Sequence, residues 1–334
     1  MLFLLLRLSI IIFRLPSYTI QTSGKLYVVN KVSEDIQVFD LFSGKEIANI
    51  PINILSHEII TTADENRVVV TNYGSNNGNT IKVINTNTNE VEKTIDLDED
   101  VKVNGIAATP KVNEVAVIDY MNNNLLVLNI ETDSVEKQIN TKQKKSHLLV
   151  FHPNKSIAYV TNIDSGSISV IDINLNEVIK IIPCGIGRKG IDITPDGSEI
   201  WVTNTKENSI TIINTSTYEI VDTLRAEDEP LKLKFSINGK YCLVANAIDG
   251  TITVYHQQSK KKIKSIFLHG KTTLLEKILY HTPRPVNILI HPNGNFAFVS
   301  NSNANKIEVI DMKTFKIVST IGTGDIPDGM AFIK

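Results

Sequence analysis

Short apolar runs bounded by polar turn residues recur along almost the whole chain, and within many of them apolar and polar positions alternate as in half-buried strands. One run returns most clearly: residues 27–30, 69–72, 159–162 and 201–204 have the sequences Tyr-Val-Val-Asn, Val-Val-Thr-Asn, Tyr-Val-Thr-Asn and Trp-Val-Thr-Asn, with weaker copies at 116–119, 243–246 and 298–301. The copies end at residues 30, 72, 119, 162, 204, 246 and 301, so their spacing is 42 to 47 residues apart from a last gap of 55. This period is typical of a propeller blade with four strands, which takes about 40–45 residues.

Further strand patterns follow each copy in the same order. A second strand is predicted at 36–40, 81–85, 125–129, 168–172, 210–214, 252–256 and 307–311, and six of these seven end in Asp or Asn, which start turns. A third strand follows, for example at 178–182, and a fourth leads into a hairpin such as Thr194-Pro195-Asp196-Gly197. The sequence therefore predicts an all-β fold, a seven-bladed β-propeller with four antiparallel strands per blade.

The two ends of the repeat region complement each other. Residues 327–333 match the opening strand of a blade but have no blade after them, whereas the first copy at 26–30 lacks that opening strand. We expect the C-terminal strand to complete the N-terminal blade, since this closure removes the open sheet edges. The predicted organisation is one propeller at 22–334, preceded by an apolar segment at 1–21 and carrying an insertion at 268–284.

These motifs have a counterpart in a known family. The Tyr-Val-Thr-Asn strand, the Ile-Ser-Val-Ile-Asp strand at 168–172 and the Pro-Asp-Gly turn at 195–197 resemble the YVTN family of β-propeller repeat proteins over about residues 26–334. The WD-repeat family is disfavoured, because Trp201 is the only Trp and stands in the Tyr position of the motif. The resemblance implies a bacterial or archaeal protein, often exported or surface-associated. More distantly, the chain is similar to propellers of haem d1 and quinone-type oxidoreductases and to 6-phosphogluconolactonase-like lactonases.

Composition narrows the chemistry further. The chain has 34 Lys and Arg against 36 Asp and Glu, a net charge of −2, so binding of nucleic acid by phosphate neutralisation is not expected. The two cysteines, Cys184 and Cys242, form neither a disulfide scaffold nor a zinc motif. No nucleophile–base set, paired catalytic carboxylates or P-loop follows from the spacing. We therefore predict no catalytic residue, no metal and no cofactor.

The N-terminal segment bears on localisation. Residues 1–15 form a strongly apolar stretch interrupted by Arg7 and Arg14 and are too short for a hydrocarbon core of about 30 Å, so membrane contact is expected at most through this stretch. It has the apolar part of a secretory signal but lacks the basic start and the small-residue cleavage site. We expect an exported protein in the periplasm, outside the cell or on its surface, with the cytoplasm as the alternative. Whether the segment is cleaved remains open.

Strand polarity predicts which positions share a face. The first residues of the seven opening strands point to one mouth of the ring, here called the top. They are His57, Asn104, His147, Lys189, Leu231, Val286 and Asp328. Five of the seven are polar or charged and can bind a polar or anionic ligand, the alternative being that they simply face the water-filled channel of the ring. His57 and Asp328 come from adjacent blades, so a contact between them is expected.

Two departures from the repeat supply further candidates. Arg188 and Lys189 follow the glycine-rich stretch 184–187, which can form an anion cradle or can simply relieve a tight crossing between blades. In the insertion, Thr273 and Glu276 have capping-box spacing, and the apolar side chains fall on one helical face. We predict a short helix acting as a lid or partner-docking element through Leu274, Leu275, Ile278, Leu279 and His281, the alternative being a surface insertion packed on the rim.

Two functions follow from these features. The first is a non-catalytic binding or scaffold propeller, a monomer, that presents its top face to a protein partner or a small polar or anionic ligand. The second is a lactonase-like hydrolase or a haem d1 or quinone-type cofactor-handling propeller. The missing catalytic constellation favours the first.

Overall fold

The structure is a computed structural model that describes residues 18–20, 22–72, 79–185, 187–271 and 282–334. These residues form seven four-stranded antiparallel sheets. The innermost strands of successive sheets contact one another all the way round, so the sheets form a closed ring around a channel. The predicted seven-bladed all-β propeller is confirmed. No helix within the described ranges is long and apolar enough to cross a membrane.

Blade 1 combines the two ends of the chain, and each later blade uses four consecutive strands ordered from the channel outward. Blade 1 contains β28 (Pro327–Ile333), β1 (Lys25–Asn30), β2 (Asp35–Asp40) and β3 (Lys45–Pro51). Blades 2 to 4 contain β4 (Ser56–Thr61), β5 (Arg67–Asn72), β6 (Thr80–Asn85), β7 (Glu90–Asp96), β8 (Val103–Ala108), β9 (Glu114–Asp119), β10 (Asn124–Asn129), β11 (Ser134–Asn140), β12 (Ser146–Phe151), β13 (Ile157–Asn162), β14 (Ser167–Asp172) and β15 (Glu177–Pro183). Blades 5 to 7 contain β16 (Arg188–Ile193), β17 (Glu199–Asn204), β18 (Ser209–Asn214), β19 (Ile220–Arg225), β20 (Pro230–Phe235), β21 (Tyr241–Asn246), β22 (Thr251–His256), β23 (Lys262–Phe267), β24 (Pro285–Ile290), β25 (Phe296–Asn301), β26 (Lys306–Asp311) and β27 (Lys316–Gly322).

The C-terminal strand closes the ring as predicted. β28 pairs antiparallel with β1, with Tyr27 opposite Ala331 and Val28 opposite Met330. Met330, Ala331 and Ile333 are buried. Since β28 also contacts β4 of blade 2 and β24 of blade 7, the last residues of the chain connect both neighbours of blade 1.

The hydrophobic core lies between blades rather than within one. The second strand of a blade is covered on both faces, so its apolar positions are consecutive instead of alternating, as in Trp201-Val202. Trp201 illustrates the packing: its ring centroid lies 5.3 Å from that of Phe235 and 6.4 Å from that of Tyr255, both in the next blade. The aromatic start of the Tyr-Val-Thr-Asn motif therefore holds neighbouring blades together.

The Asn that ends the motif donates hydrogen bonds to the next strand, beside the turn at the top of the blade. Asn162 Nδ2 donates a hydrogen bond of 3.0 Å to the Ser169 hydroxyl, and Asn246 Nδ2 donates one of 2.9 Å to the Thr253 hydroxyl. Both amides are fully buried. These bonds supply partners for buried polar groups at the point where the chain reverses.

Residues just ahead of Thr22 also contact the ring. The Tyr18 hydroxyl donates to the Leu41 carbonyl, the Thr19 amide donates to the Ser319 hydroxyl at 3.1 Å, and Ile20 is buried. Residues 18–20 therefore lie against blades 1 and 7. The insertion at 268–284 falls between β23 and β24, and the predicted helix within it lies outside the described residues.

Candidate functional site

The innermost strands share an irregularity at the top of the channel. On β4 the pairing register shifts between Ser56 and Ile59, and on β12 it shifts between Ser146 and Leu149. The other five innermost strands show the same shift near their first residues. A bulge of this kind re-aims side chains and interrupts the alternation of a strand. Consecutive residues such as His57 and Glu58 therefore both reach the channel.

These bulged segments enclose one cavity of about 390 Å³ at the top of the ring. It is lined by Lys31, His57, Glu58, Asn104, His147, Leu148, Lys189, Leu231, Lys232, Arg284, Val286, Ser302, Ile326 and Asp328. All seven positions aligned in the sequence are among them. The structure thus brings His57, Asn104, His147, Lys189 and Asp328 together, and whether they bind a ligand stays a prediction.

His57 lies at the centre of a hydrogen-bonded chain. Its Nδ1 is 2.7 Å from Asp328 Oδ2, which is the contact expected between the two blades. Its Nε2 is 2.6 Å from Lys31 Nζ. The Lys31 ammonium donates a hydrogen bond to Nε2, and the Nδ1–H group donates one to the Asp328 carboxylate. This is the hydrogen-bonding pattern of a neutral imidazole. Burial lowers the pKa of Lys31, and the charge of Asp328 opposes that shift.

Contact between these two strands depends on Gly329, the residue after Asp328. A Cβ at this position would lie 2.5 Å from the His57 carbonyl oxygen and 3.1 Å from Ile59 Cγ2. Only a residue without a side chain lets β28 approach β4 this closely. The glycine of the Pro-Asp-Gly sequence at 327–329 therefore sets the distance between Asp328 and His57.

His147 contributes a group that stays neutral. Burial lowers the pKa of His147 to about 3, with a smaller contribution from the charges of Lys232 and Lys189. Its Nδ1 is buried without a hydrogen-bond partner in the described part of the chain. A lone pair left unpaired is tolerated better than an unpaired N–H, so we assign the proton to Nε2. His147 is then a neutral hydrogen-bond donor at any pH above about 4.

The predicted residues Arg188 and Lys189 differ in what the structure shows of them. Lys189 lines the cavity, and its Nζ has no hydrogen-bond partner or ion pair among the described residues. Arg188 is the first residue of β16, and its side chain lies outside the described residues. Gly187 has a φ of 93°, and a Cβ there would meet Lys206, so backbone geometry accounts for the glycine without an anion cradle.

Seven lining residues were missed by the sequence comparison, the apolar Leu148 and Ile326 and five polar ones: Lys31, Glu58, Lys232, Arg284 and Ser302. Glu58 and Lys232 directly follow predicted positions, and strict alternation would turn them away from the channel. Lys232 Nζ is 2.6 Å from Glu58 Oε1, and Arg284 Nη1 is 3.0 Å from Glu229 Oε2. Of the seven residues that directly follow the aligned positions, only Glu58 and Lys232 are charged, and this was the signal available in the sequence.

Charge in the cavity is unbalanced. Four cationic side chains, Lys31, Lys189, Lys232 and Arg284, lie among the described lining residues with two carboxylates, Glu58 and Asp328. Partly desolvated charges interact more strongly than charges in bulk water. The described lining residues therefore carry more cationic than anionic side chains.

A larger cavity of about 600 Å³ lies beside blades 2 and 3 and is lined mainly by acidic and amide side chains. The most buried of these, Asp119, already accepts hydrogen bonds from the backbone amides of Lys102, Met121 and Asn122. Among the described residues no group of three or more His, Cys, Asp or Glu side chains can hold a metal ion. We assign no site there.

The predicted lid residues Leu274, Leu275, Ile278, Leu279 and His281 lie outside the described residues.

Comparisons with known proteins agree with this architecture. No curated protein matches the chain. Among solved structures, hydrazine synthase from Kuenenia stuttgartiensis is similar in fold, with a TM-score of 0.71, 16% identity and coverage of 83% of this chain and 89% of the other. A functionally unknown protein from Desulfotomaculum acetoxidans DSM 771 is similar with a TM-score of 0.75, 17% identity and coverage of 93% and 99%. At these identities the likeness shows the fold alone.

A family model gives the more specific assignment, whereas the finer resemblance to the YVTN family stays a prediction. Residues 13–266, about three quarters of the sequence, match the model described as "Lactonase, 7-bladed beta-propeller". The matched region includes the motif strands of blades 1 to 6. The chain belongs to the lactonase family of seven-bladed β-propellers.

Proposed function

We propose that the protein is a binding propeller whose top cavity holds a small organic anion, with a carboxylate or phosphate as the recognised group. The excess of cationic over anionic side chains in the 390 Å³ cavity carries this proposal. A cavity of this volume is within the range that small-molecule sites occupy. Lys189 supplies an ammonium without a partner among the described residues, and neutral His147 supplies a donor for an uncharged oxygen.

Titration calorimetry of the full chain with gluconate and with inorganic phosphate tests this proposal. We expect binding that weakens between low and physiological ionic strength, because charged groups are screened by salt. Lys189→Met should weaken it by about tenfold or more, since a hydrogen bond to a charged group is lost. Lys180→Met, on the exposed outer strand of blade 4, is the matched control and should bind like the wild type. Absence of wild-type binding at millimolar ligand, or unchanged affinity in Lys189→Met, would contradict the proposal.

One observation favours a second candidate function, hydrolysis of a lactone. The His57–Asp328 pair, with 2.7 Å between Nδ1 and Oδ2, is the arrangement in which a carboxylate orients an imidazole for proton transfer. In such a reaction a bond forms between the water oxygen and the acyl carbon, and the ring C–O bond breaks. The water loses a proton to the base and the ring oxygen gains one. The Lys31 ammonium is hydrogen-bonded to Nε2 of His57, so water can reach this nitrogen only after the ammonium moves. For this reason we rank hydrolysis behind binding.

A panel of sugar lactones followed by acid release at constant pH separates the two functions. If hydrolysis occurs, His57→Ala and Asp328→Asn should each lower kcat/KM by about 10²–10⁴, the usual contribution of a positioned acid–base group. His256→Asn, outside the cavity on β22, is the matched control. Gluconate binding without turnover of any lactone would leave the binding function as the conclusion. Turnover that survives both cavity variants would place the reaction elsewhere.

Export, a protein partner at the top face and the absence of a cofactor stay proposals of their own. N-terminal sequencing of the protein from its native host tests export, and an intact Met1 on the mature chain would contradict it. An absorption spectrum of the same preparation tests the cofactor-handling alternative, because haem or quinone groups absorb in the visible or near-ultraviolet range. A spectrum without such bands is expected.

A further inference from the structure

One ion pair in the cavity crosses the channel. Glu58 lies on β4 of blade 2, and Lys232 lies on β20 of blade 6, with blades 1 and 7 between them. Oε1 and Nζ are nevertheless 2.6 Å apart. Long side chains from nearly opposite walls therefore meet over the channel axis.

The pair separates two spaces. Glu58, Lys232 and Leu148 line the upper cavity and also a second cavity of about 510 Å³ further down the channel. The lower cavity is lined by apolar side chains such as Ile106 and Ile191 together with charged ones such as Asp192 and Lys234. The two charged side chains are 16% and 21% exposed, so they form the floor of the upper cavity and the roof of the lower one. An anion that enters from the top meets Lys232 before it reaches the lower cavity.

Glu58 is chemically unusual in this position. Asp328 already bonds to His57, and Arg284 already pairs with Glu229 outside the lining set. Glu58, by contrast, forms a direct ion pair with Lys232, a lysine of the cavity lining. A mostly buried ion pair contributes little net stability, because desolvation offsets attraction. Lys232 therefore loses little if one anionic partner replaces another.

We propose that Glu58 occupies, on Lys232, the position of the anionic group of the ligand and is displaced when that ligand binds. This inference rests on the proposed anion-binding function and names its subsite: Lys232 receives a carboxylate or a phosphate oxygen. Glu58 then turns toward solvent in the channel. The wild-type affinity is lowered by the competition with Glu58, and the ligand headgroup stops at the floor of the upper cavity.

Calorimetric titration of Glu58→Gln with inorganic phosphate and, separately, with gluconate tests the displacement. We expect the affinity to rise by about tenfold or more in the arm whose anionic group fits, since Lys232 then has no competing carboxylate. Addition of Lys232→Met to Glu58→Gln should abolish this gain in affinity. Glu65→Gln and Lys234→Met remove the same charges lower on the ring and serve as matched controls, with affinities expected within about twofold of the wild type. Glu58→Ser removes the carboxylate by truncation and serves if the Gln variant does not fold.

The outcomes separate the two proposals. If the wild type binds an anion and neither Glu58 variant binds it more tightly, the displacement is wrong while the binding function stands. If neither the wild type nor a folded Glu58 variant binds phosphate or gluconate, both are wrong. Binding seen only in a Glu58 variant overturns both, because the wild type then holds no anion that could displace Glu58.

Discussion

Substitution of Gly329 by Ala tests how closely β28 and β4 approach at the site. The added Cβ would lie 2.5 Å from the His57 carbonyl oxygen. An ordinary contact between a carbon and a carbonyl oxygen is about 3.3–3.6 Å, so the strands must separate by roughly 1 Å. Overpacking of this kind typically costs about 1–3 kcal/mol. For a chain of this size the expected decrease in Tm is about 2–6 °C.

Thermal unfolding followed by circular dichroism measures this decrease, and Gly322→Ala is the matched control. Gly322 ends β27 and is exposed, and a Cβ added there would meet no atom within 4 Å, so its substitution should leave Tm unchanged or slightly higher. The His57–Asp328 hydrogen bond should lengthen only in Gly329→Ala, which shifts the imidazole resonances in an NMR spectrum. If Gly329→Ala has the same Tm as Gly322→Ala, β28 and β4 are not packed as tightly as described.

Three further predictions address closure, acid stability and packing between blades. Deletion of 327–334 removes the channel strand of blade 1 and should replace a cooperative unfolding transition by a broad one, so an unchanged denaturant midpoint and slope would disprove closure by β28. His147 has a folded pKa of about 3, below the value of about 6.5 for an unfolded histidine, so the unfolded state binds more protons between these values and stability falls as pH decreases from about 6.5 to 3. His147→Gln should flatten this dependence by up to about 1.4 kcal/mol per pH unit in urea titrations, and parallel curves for both proteins would count against the buried neutral ring. Trp201→Ala should cost about 3–5 kcal/mol because it empties the packing against Phe235 and Tyr255, and a loss below about 1 kcal/mol in chemical unfolding would contradict the core described between blades 5 and 6.

Much of the candidate site could be predicted from the repeat, because alignment of blades identifies equivalent positions. His57 and Asp328 were expected to meet since the ring order makes their blades neighbours, and the structure shows the contact. Lys31 could not be found in this way, because it follows a motif strand and lies in a loop whose path depends on blade 1. The packing of Tyr18 and Ile20 on the ring could not be predicted either, since it leaves no periodic signal in the sequence.

The sequence by itself determined the number of blades, the four-strand order and the closure of the ring. These features depend on local alternation, turn residues and a period near 42 residues, which are all properties of neighbouring positions. Only the tertiary structure decided the contents of the channel. The bulges turn both His57 and Glu58 inward, and the Glu58–Lys232 pair joins residues 174 positions apart. Such a pair depends on the radius of the closed ring and the reach of two side chains, and neither quantity is encoded in any single repeat.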